Sequence, residues 1–229
     1  MINVAIDGPG GAGKSTAAKA VAARTGLHYV DTGAMYRGLG LYVLRAGVDI
    51  DDREAVARAI EPLVFDVTYT EEGQRVWVNG EDLTPFIRTP EASDAASRTS
   101  AYPEVRQKLL QLQQDLGKKY DLIMDGRDIG TVIFPNADLK LYVTADAAER
   151  GRRRYLELLE KGEKDITLEQ VIADIEERDY RDSHREVAPL RQAEDAILLD
   201  TTHMTLGEVT DEICRLVEDV RSKKAFAGA

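Results

Sequence analysis

The stretch Gly8-Pro9-Gly10-Gly11-Ala12-Gly13-Lys14-Ser15 matches the pattern G-x-x-x-x-G-K-[ST] in full. The apolar run from Ile2 to Ile6 before it is typical of a short strand, and Ser15 to Arg24 after it are typical of a helix. A glycine-rich turn in this context lets backbone N–H groups converge at a positively polarised helix start. The stretch therefore predicts a P-loop for a nucleoside triphosphate. Lys14 would reach the β- and γ-phosphates, and the Ser15 hydroxyl would hold Mg²⁺.

Composition and charge exclude several classes of protein. The chain has 229 residues with a formal net charge of −11, whereas a general nucleic-acid-binding protein would show a basic face. No apolar run approaches the length of a membrane span, and the first residues do not read as a signal or transit peptide. Cys214 is the single cysteine and cannot form an internal disulfide. We therefore expect a cytoplasmic protein that binds neither membranes nor nucleic acid.

Arginines are concentrated in two segments of this acidic chain. One segment holds Arg150, Arg152, Arg153 and Arg154, and the other holds Arg178, Arg181 and Arg185. Such clusters suit bidentate binding of small phosphates. A solvated helix face with ion pairs between residues four apart would look the same in the sequence, so both interpretations stay open.

Strand and helix patterns alternate, which predicts an α/β fold with a parallel sheet and helices on both faces. The five predicted strands are Ile2–Asp7, Leu27–Val30, Asp121–Met124, Leu139–Val143 and Ile197–Leu199. Helix starts are marked by Thr89 before a proline and by capping boxes that open at Thr167 and Thr205.

One segment departs from the alternation. Residues 64–69 and 75–78 both have β character, with Glu71-Glu72-Gly73 between them and a tight Asn79-Gly80 turn after them. The sequence therefore predicts a small antiparallel insert within the α/β chain.

Two further motifs fall where open α/β sheets bind ligands, at the carboxyl ends of strands, and a third ends an amphipathic helix. Asp31 to Arg37 follow the second strand, and Asp125-Gly126-Arg127-Asp128 follow the third. Asp125 would support Mg²⁺ or its waters. Arg178, Asp182 and Arg185 have i, i+4, i+7 spacing and share one helix face, which suits a phosphate and a sugar hydroxyl or, equally, a self-paired surface stripe.

No histidine is placed for metal binding or a catalytic triad. Phosphoryl transfer between phosphates needs no general base, because the acceptor is already an anion.

Together, these motifs resemble the cytidylate kinase family of bacteria, a group of nucleoside monophosphate kinases. The match runs in family order from residue 2 to about 200. It comprises Ile6 to the P-loop, Asp31 to Arg37, Ile87-Arg88-Thr89, Asp125 to Val132, and Arg178 to Leu190. Two departures, Thr32 for serine and Ser15 for glycine or threonine, leave the implied chemistry unchanged.

The resemblance implies transfer of the γ-phosphate of MgATP to CMP or dCMP. It places ATP phosphates on Gly8 to Thr16, including Pro9, Gly10, Gly11, Ala12, Gly13, Lys14 and Ser15. It also implies an acceptor-phosphate clamp of Arg37, Arg127 and Arg185, with Thr32 nearby, and a cytosine reader of Ser97, Arg106 and Asp128. Arg178 and Asp182 would contact phosphate and ribose, Ser15 and Asp125 would serve Mg²⁺, and Arg150, Arg153 and Arg154 would lie in a closing lid.

The resemblance also implies a domain plan and a monomer. Within a single kinase domain of residues 1–229 it places the core at 1–33, 115–145 and 190–220. The monophosphate-binding lobe is expected at about 34–114 with a β insert at 63–83, and the helical lid at about 150–188.

Other functions remain as alternatives. Among kinases, the base-reading residues decide between CMP and acceptors such as UMP, AMP or shikimate. A nucleotide switch of the GTPase class would carry an N-K-x-D guanine reader, which this sequence lacks.

Overall fold

The computed structural model describes residues 1–70, 72–163 and 165–227. Its strands are β1 (Asn3–Asp7), β2 (His28–Asp31), β3 (Phe65–Thr70), β4 (Gly73–Val78), β5 (Glu81–Asp82), β6 (Leu122–Gly126), β7 (Leu139–Thr144) and β8 (Ile197–Asp200). Its α-helices are α1 (Lys14–Thr25), α2 (Thr32–Arg45), α3 (Arg53–Ile60), α4 (Pro90–Thr99), α5 (Pro103–Lys119), α6 (Ala147–Glu160), α7 (Leu168–His184) and α8 (Leu206–Ala227). A 3₁₀ turn spans Thr84–Phe86, and a π-helical turn spans Ile129–Ile133.

The central sheet has five strands in the order β2-β6-β1-β7-β8. β1 runs parallel to both β6 and β7, and β7 runs parallel to β8. The inner strands are short and almost entirely buried, as parallel strands covered by helices are. The predicted α/β fold class and the five-stranded parallel sheet are confirmed, with strand boundaries that shift by one or two residues.

The glycines of the first turn set its shape. Gly8 has φ 145°, and a Cβ atom there would lie 1.9 Å from the carbonyl oxygen of Val143, so only glycine fits. Gly13 has φ 84° and caps α1 in the left-handed conformation. Helix α1 therefore begins at Lys14, one residue before the predicted start.

The predicted antiparallel insert is present as a three-stranded sheet, β3-β4-β5. Phe65 pairs with Val78 and Thr70 with Gly73. Asn79 and Gly80 both have positive φ, 49° and 82°, as a tight hairpin turn of this type requires. Glu71, which belongs to the predicted turn between β3 and β4, lies outside the described residues.

The chain divides into two compact units. The first contains Tyr29–Asp121 together with Met1, and the second contains Ile2–His28 and Leu122–Ala229. In the first unit, the insert and the start of α2 share a core of Ala34, Leu63, Val76, Val78, Leu83 and Ile87.

In the second unit, α6 and α7 form a close helical pair. A Cβ atom on Gly151 would lie 2.3 Å from Cγ1 of Ile172, so glycine permits this approach. The capping box at Thr167 and Gln170 opens α7 as predicted. These helices occupy the range expected for a lid, of which Lys164 lies outside the described residues; the lid role itself stays a prediction. Among the described residues, none of the helices is long and apolar enough to cross a bilayer.

Candidate active site

The P-loop turn holds its lysine in a buried position. Lys14 is 5% exposed, and its Nζ donates a hydrogen bond of 2.7 Å to the carbonyl oxygen of Pro9. Burial and, after it, the positive charge of Arg127 lower the pKa of Lys14 well below its usual range. The ammonium group is therefore in an environment that a phosphate anion would stabilise.

Ser15 and Asp125 meet beside this turn. The Ser15 hydroxyl, in the first turn of α1, donates to Oδ2 of Asp125 at 2.7 Å. Asp125 lies in β6, directly beside Ile6 of β1, so the sheet register brings the carboxylate to the P-loop. One hydroxyl and one carboxylate suit Mg²⁺, which usually takes few protein ligands and completes its shell with water and phosphate oxygens. The described residues contain no cluster of three or more His, Cys, Asp or Glu side chains that could hold a metal alone.

The segment after β6 turns sharply around the side chain of Asp7. The two Asp7 carboxylate oxygens accept hydrogen bonds of 2.7 Å from the backbone N–H groups of Ile129 and Gly130. The carbonyl oxygen of Asp128 accepts from Val132 N at 2.9 Å and from Ile133 N at 3.2 Å, which forms the π-helical turn. Such turns are frequent at functional sites.

Arg127 and Asp182 form the central ion pair of the second unit. Arg127 Nε donates to Asp182 Oδ2 at 2.9 Å, and both side chains are largely buried. Burial alone would raise the pKa of Asp182, but the charges of Arg127 and Arg178 outweigh it and the net shift is downward. For Arg127 burial is again the largest influence and lowers the pKa, yet Asp182 and neighbouring carboxylates raise it overall. Both groups are therefore charged at neutral pH.

The predicted stripe on α7 continues to the helix end. Arg178 Nε lies 4.0 Å from Asp182 Oδ2, so these two residues share a face as predicted. Arg185 caps the C-terminus of α7, and its Nε donates to the carbonyl oxygen of Ala188 at 2.7 Å. The Arg185 side chain is 6% exposed and lies 3.7 Å from Asp128 Oδ1. The stripe is thus a network that joins α7 to the turn after β6, rather than a solvated surface pairing.

The arginines of α6 have distinct surroundings. Arg150 is 6% exposed; its Nε donates to Ala145 O at 2.8 Å, and its Nη1 donates to Gly10 O at 2.9 Å and to Asp179 Oδ2 at 2.5 Å. The Arg150 guanidinium therefore ties α6 and α7 to the P-loop.

Arg153 and Arg154 lie further along α6. Arg153 donates to Glu149 Oε1 at 2.8 Å and to the carbonyl oxygen of Thr201 at 2.7 Å. Arg154 pairs with Glu157 at 2.8 Å in a more exposed position. Their assignment to ATP phosphates stays a prediction.

The first unit holds the four remaining predicted residues, of which Thr32 and Arg37 lie on α2. Thr32 is the first residue of α2 and is buried. Asp31 caps this helix by accepting from Ala34 N at 2.7 Å, and its other oxygen accepts from Arg37 Nη2 at 3.1 Å. Arg37 Nε is buried and has no hydrogen-bond partner among the described residues. The helix start and the oriented guanidinium suit an anionic ligand.

Ser97 and Arg106 lie on α4 and α5 of the same unit. The Ser97 hydroxyl oxygen is buried and has no partner in the described part of the chain. Arg106 is 7% exposed, donates to Ser100 O at 3.2 Å, and lies over the ring of Tyr36 with Cζ 5.6 Å from its centroid. A buried hydroxyl and a buried guanidinium are suited to polar recognition of a ligand edge.

Sequence patterns did not identify several residues that hold the candidate site residues in place. Asp7 and Asp31 stand inside quoted motifs, and an aspartate directly before a helix start is a recognisable N-cap signal for Asp31. Gln74 of β4 accepts from Asp31 N at 2.8 Å and donates to Asp31 O at 3.0 Å. Thr201 accepts hydrogen bonds from the Arg153 guanidinium, and its hydroxyl donates to Thr144 O at 3.0 Å. Neither Gln74 nor Thr201 carries a local signal, because its role depends on strand pairing far along the chain.

Comparison with known proteins gives consistent matches. The family model described as cytidylate kinase matches residues 4–219. A cytidylate kinase of an Exiguobacterium species is 48% identical over 221 residues, which cover 96% of this chain and 98% of the relative. A cytidylate kinase of Bacillus subtilis is 45% identical over 217 residues, covering 95% and 96%. Among solved structures, an uncharacterized protein from Eubacterium ventriosum shares the fold, with TM-score 0.51 and 10% identity over 95% of this chain and 99% of that one.

Proposed function

The chain belongs to the cytidylate kinase family, and we propose that it transfers the γ-phosphoryl group of ATP to CMP or dCMP. In this reaction a phosphate oxygen of the acceptor bonds to the γ-phosphorus, and the bond from that phosphorus to the β,γ-bridging oxygen breaks. The products are ADP and CDP or dCDP. The observation that carries the proposal is the cluster of the second unit, in which Lys14, the Ser15–Asp125 pair and Arg127 lie around one glycine-rich turn.

The ATP side of the site rests on the P-loop. We assign the triphosphate to the backbone amides of Gly8 to Thr16 and to the Lys14 ammonium. Charge that spreads over the γ-phosphoryl oxygens during transfer is stabilised by cations already in position. When ATP enters, Lys14 exchanges its bond to Pro9 O for the phosphate oxygens.

We assign Mg²⁺ to Ser15 and Asp125. The 2.7 Å hydrogen bond between them brings two oxygen atoms together beside the P-loop, which supports their assignment as Mg²⁺ ligands or as partners of metal-bound waters. A bound Mg²⁺ would neutralise phosphate charge. Ser15 and Asp125 contribute by fixing where that charge sits.

The acceptor phosphate is assigned to arginines. Arg127 is held rigidly by Asp182, and Arg185 is held by Ala188 O and lies beside Asp128. Arg37, in the first unit, is oriented by Asp31. Because these guanidinium groups are held by neighbouring residues before the substrate binds, little is lost in ordering them on the anion.

The pyrimidine specificity is assigned to Ser97 and Arg106 in the first unit and to Asp128 in the second. A hydroxyl, a guanidinium and a carboxylate offer donors and an acceptor to the cytosine edge. A uracil presents the opposite donor and acceptor pattern at two positions, so a buried partner would be left unpaired. Thr32 supports the acceptor site from the start of α2, and Arg178 with Asp182 is assigned to phosphate and ribose.

We assign the lid to α6 and α7, with Arg150, Arg153 and Arg154 serving the ATP phosphates. Closure of an arginine-bearing lid would exclude water, which otherwise competes with CMP for the γ-phosphoryl group. Arg150 contacts Gly10 O in this structure, so the P-loop and the lid helices are coupled. We further expect the protein to be cytoplasmic and monomeric. Sedimentation of the purified chain would test the oligomeric state.

The experiment is direct detection of the product. Purified protein is incubated with MgATP and CMP, and nucleotides are separated by anion exchange. We expect ADP and CDP to form in equal amounts. ADP without CDP would identify an ATPase and contradict the proposal. Lys19→Met, an exposed lysine of α1, serves as control for Lys14→Met, which should form neither product at a comparable rate.

A further inference from the structure

The carboxylate of Asp7 accepts two hydrogen bonds from one short turn. Asp7 ends β1 and is 4% exposed. Its two oxygens accept the successive backbone N–H groups of Ile129 and Gly130, each at 2.7 Å. The two hydrogen bonds join residues that are 122 and 123 positions apart in the sequence, so they are tertiary contacts and not a local helix cap.

The residues held by this contact are adjacent to the proposed acceptor site. Gly126 pairs with Asp7 in the sheet, and Ile129 and Gly130 bind the Asp7 side chain. Arg127 and Asp128 lie between these two anchors. The span from Gly126 to Ile129 is therefore fixed at both ends by a single residue of β1.

We propose that Asp7 is a positioning residue that sets the place of Arg127 and Asp128 for the acceptor nucleotide. The inference rests on the proposed function. Asp7 itself touches neither substrate in this assignment: its carboxylate orients the turn, and the turn presents the guanidinium and the carboxylate. Displacement of such groups by about 1 Å is enough to lower a rate by about 100-fold.

The surroundings of Asp7 favour a functional role over simple stabilisation. Burial raises the pKa of Asp7 to about 6, although the two amide hydrogen bonds lower it; the charge of Asp128 also raises it and that of Lys14 lowers it. A buried charge of this kind is unfavourable for folding unless its partners compensate fully. The fold therefore keeps a carboxylate that a neutral side chain could replace with less desolvation.

The test compares Asp7→Asn with Asp138→Asn. Asparagine keeps the shape, but its NH₂ group cannot accept, so one of the two amide bonds is lost. Asp138 Oδ2 also accepts a backbone N–H of β1, from Asn3 at 2.9 Å, and lies at the opposite end of that strand. Asp138→Asn is the matched control because it makes the same chemical change at the other end of β1, away from the site, where a single acceptor oxygen is enough for the backbone N–H.

We expect kcat/KM for CMP to fall about 10- to 100-fold in Asp7→Asn, with KM for ATP within about twofold of the parent. The Asp138→Asn control should keep both values. In an NMR spectrum, the Ile129 and Gly130 amide protons should exchange faster with solvent in Asp7→Asn alone.

A second variant, Gly130→Ala, tests the same contact in case Asp7→Asn does not fold. A Cβ atom on Gly130 would lie 3.3 Å from Asp7 Oδ2 and 3.1 Å from Lys140 Cδ, so Gly130→Ala pushes the turn from the carboxylate while keeping Asp7. It should show the same change in kcat/KM for CMP. The inference is overturned if folded Asp7→Asn has parental CMP kinetics, or if KM for ATP and KM for CMP rise equally. Absence of CMP phosphorylation in the parent would instead overturn the proposed function.

Discussion

The hydroxyl of Ser15 donates a hydrogen bond of 2.7 Å to the carboxylate of Asp125, 110 residues further along the chain. Ser15 lies in the first turn of α1, and Asp125 lies near the end of β6, the strand that pairs with β1. The pair connects the glycine-rich P-loop turn to the strand that leads into Arg127 and Asp128. The proposed metal position and the proposed acceptor site are therefore built on one continuous element.

Asp125→Asn should lower kcat by about 100- to 1,000-fold, because the substitution removes the negative charge proposed to hold Mg²⁺ or its waters. The concentration of free Mg²⁺ that gives half-maximal rate should rise at the same time. Initial rates measured across a Mg²⁺ series check both effects. Asp211→Asn, an exposed residue paired with Arg24, is the control and should behave as the parent.

Lys14→Met should lower kcat by about 100- to 1,000-fold, since the charge that meets the transferring phosphoryl group is lost. Methionine fills the buried space of the lysine stem, so the far-ultraviolet circular dichroism spectrum should not change. Single-turnover rates with saturating ATP report the chemical step. Turnover near the parental value in this variant would refute the role of the P-loop lysine.

Asp182→Asn should raise KM for CMP by about 10-fold or more, because Arg127 loses its charged partner and its fixed orientation. If Asp182 also contacts the ribose, the ratio of kcat/KM for CMP to that for dCMP should change as well. Steady-state kinetics with both acceptors give the two readouts. Asp174→Asn on the exposed side of α7 should leave both unchanged, and an unaltered CMP to dCMP ratio in Asp182→Asn would remove the ribose assignment.

Gly40→Ala should destabilise the protein by about 1–3 kcal/mol through overpacking. A Cβ atom at this position of α2 would lie 2.9 Å from Ala96 N and 3.1 Å from the Cβ of Ala95 in α4. Urea denaturation measures the change. Gly207→Ala in α8 provides the contrast, because its Cβ would be 3.8 Å or more from any neighbour and alanine favours the helix. Equal effects from the two substitutions would contradict the close approach of α2 and α4.

The pH dependence of stability should carry the signature of Asp7. Its pKa is about 6 in the folded protein and near 3.8 in the unfolded chain, so the folded state binds the extra proton between these values. The contribution of Asp7 to the free energy of unfolding is thus fully present below pH 3.8 and is lost as the pH rises through about 6. Relative to Asp7→Asn, the parent should gain about 2 kcal/mol between about pH 7.5 and about pH 4.5. A pH-independent difference, measured by urea denaturation, would show that the pKa is not raised.

The sequence predicted those parts of the fold that depend on neighbouring residues. The strand, glycine turn and helix around Gly8 to Ser15 are local, and so are the capping box at Thr167 and the turn at Asn79-Gly80. The meeting of Ser15 and Asp125 was also accessible, because parallel strands end at one edge of the sheet.

Contacts set by register could not be predicted. The bond of Asp7 to Ile129 and Gly130 depends on the pairing of β1 with β6 and on a π-helical turn, and neither leaves a periodic signal. Arg150 illustrates the same limit: an arginine cluster on a helix does not reveal that one member is buried against Gly10 O while Arg154 is paired near the surface.

The most direct test of the central claim compares kcat/KM for a panel of acceptors at fixed MgATP. The rate is measured as the release of ADP. We expect CMP and dCMP to be phosphorylated well, UMP poorly, and AMP or GMP hardly at all. Loss of a buried hydrogen-bond partner accounts for discrimination of this kind. Equal turnover with every acceptor, or ADP release that does not depend on an acceptor, would contradict the account.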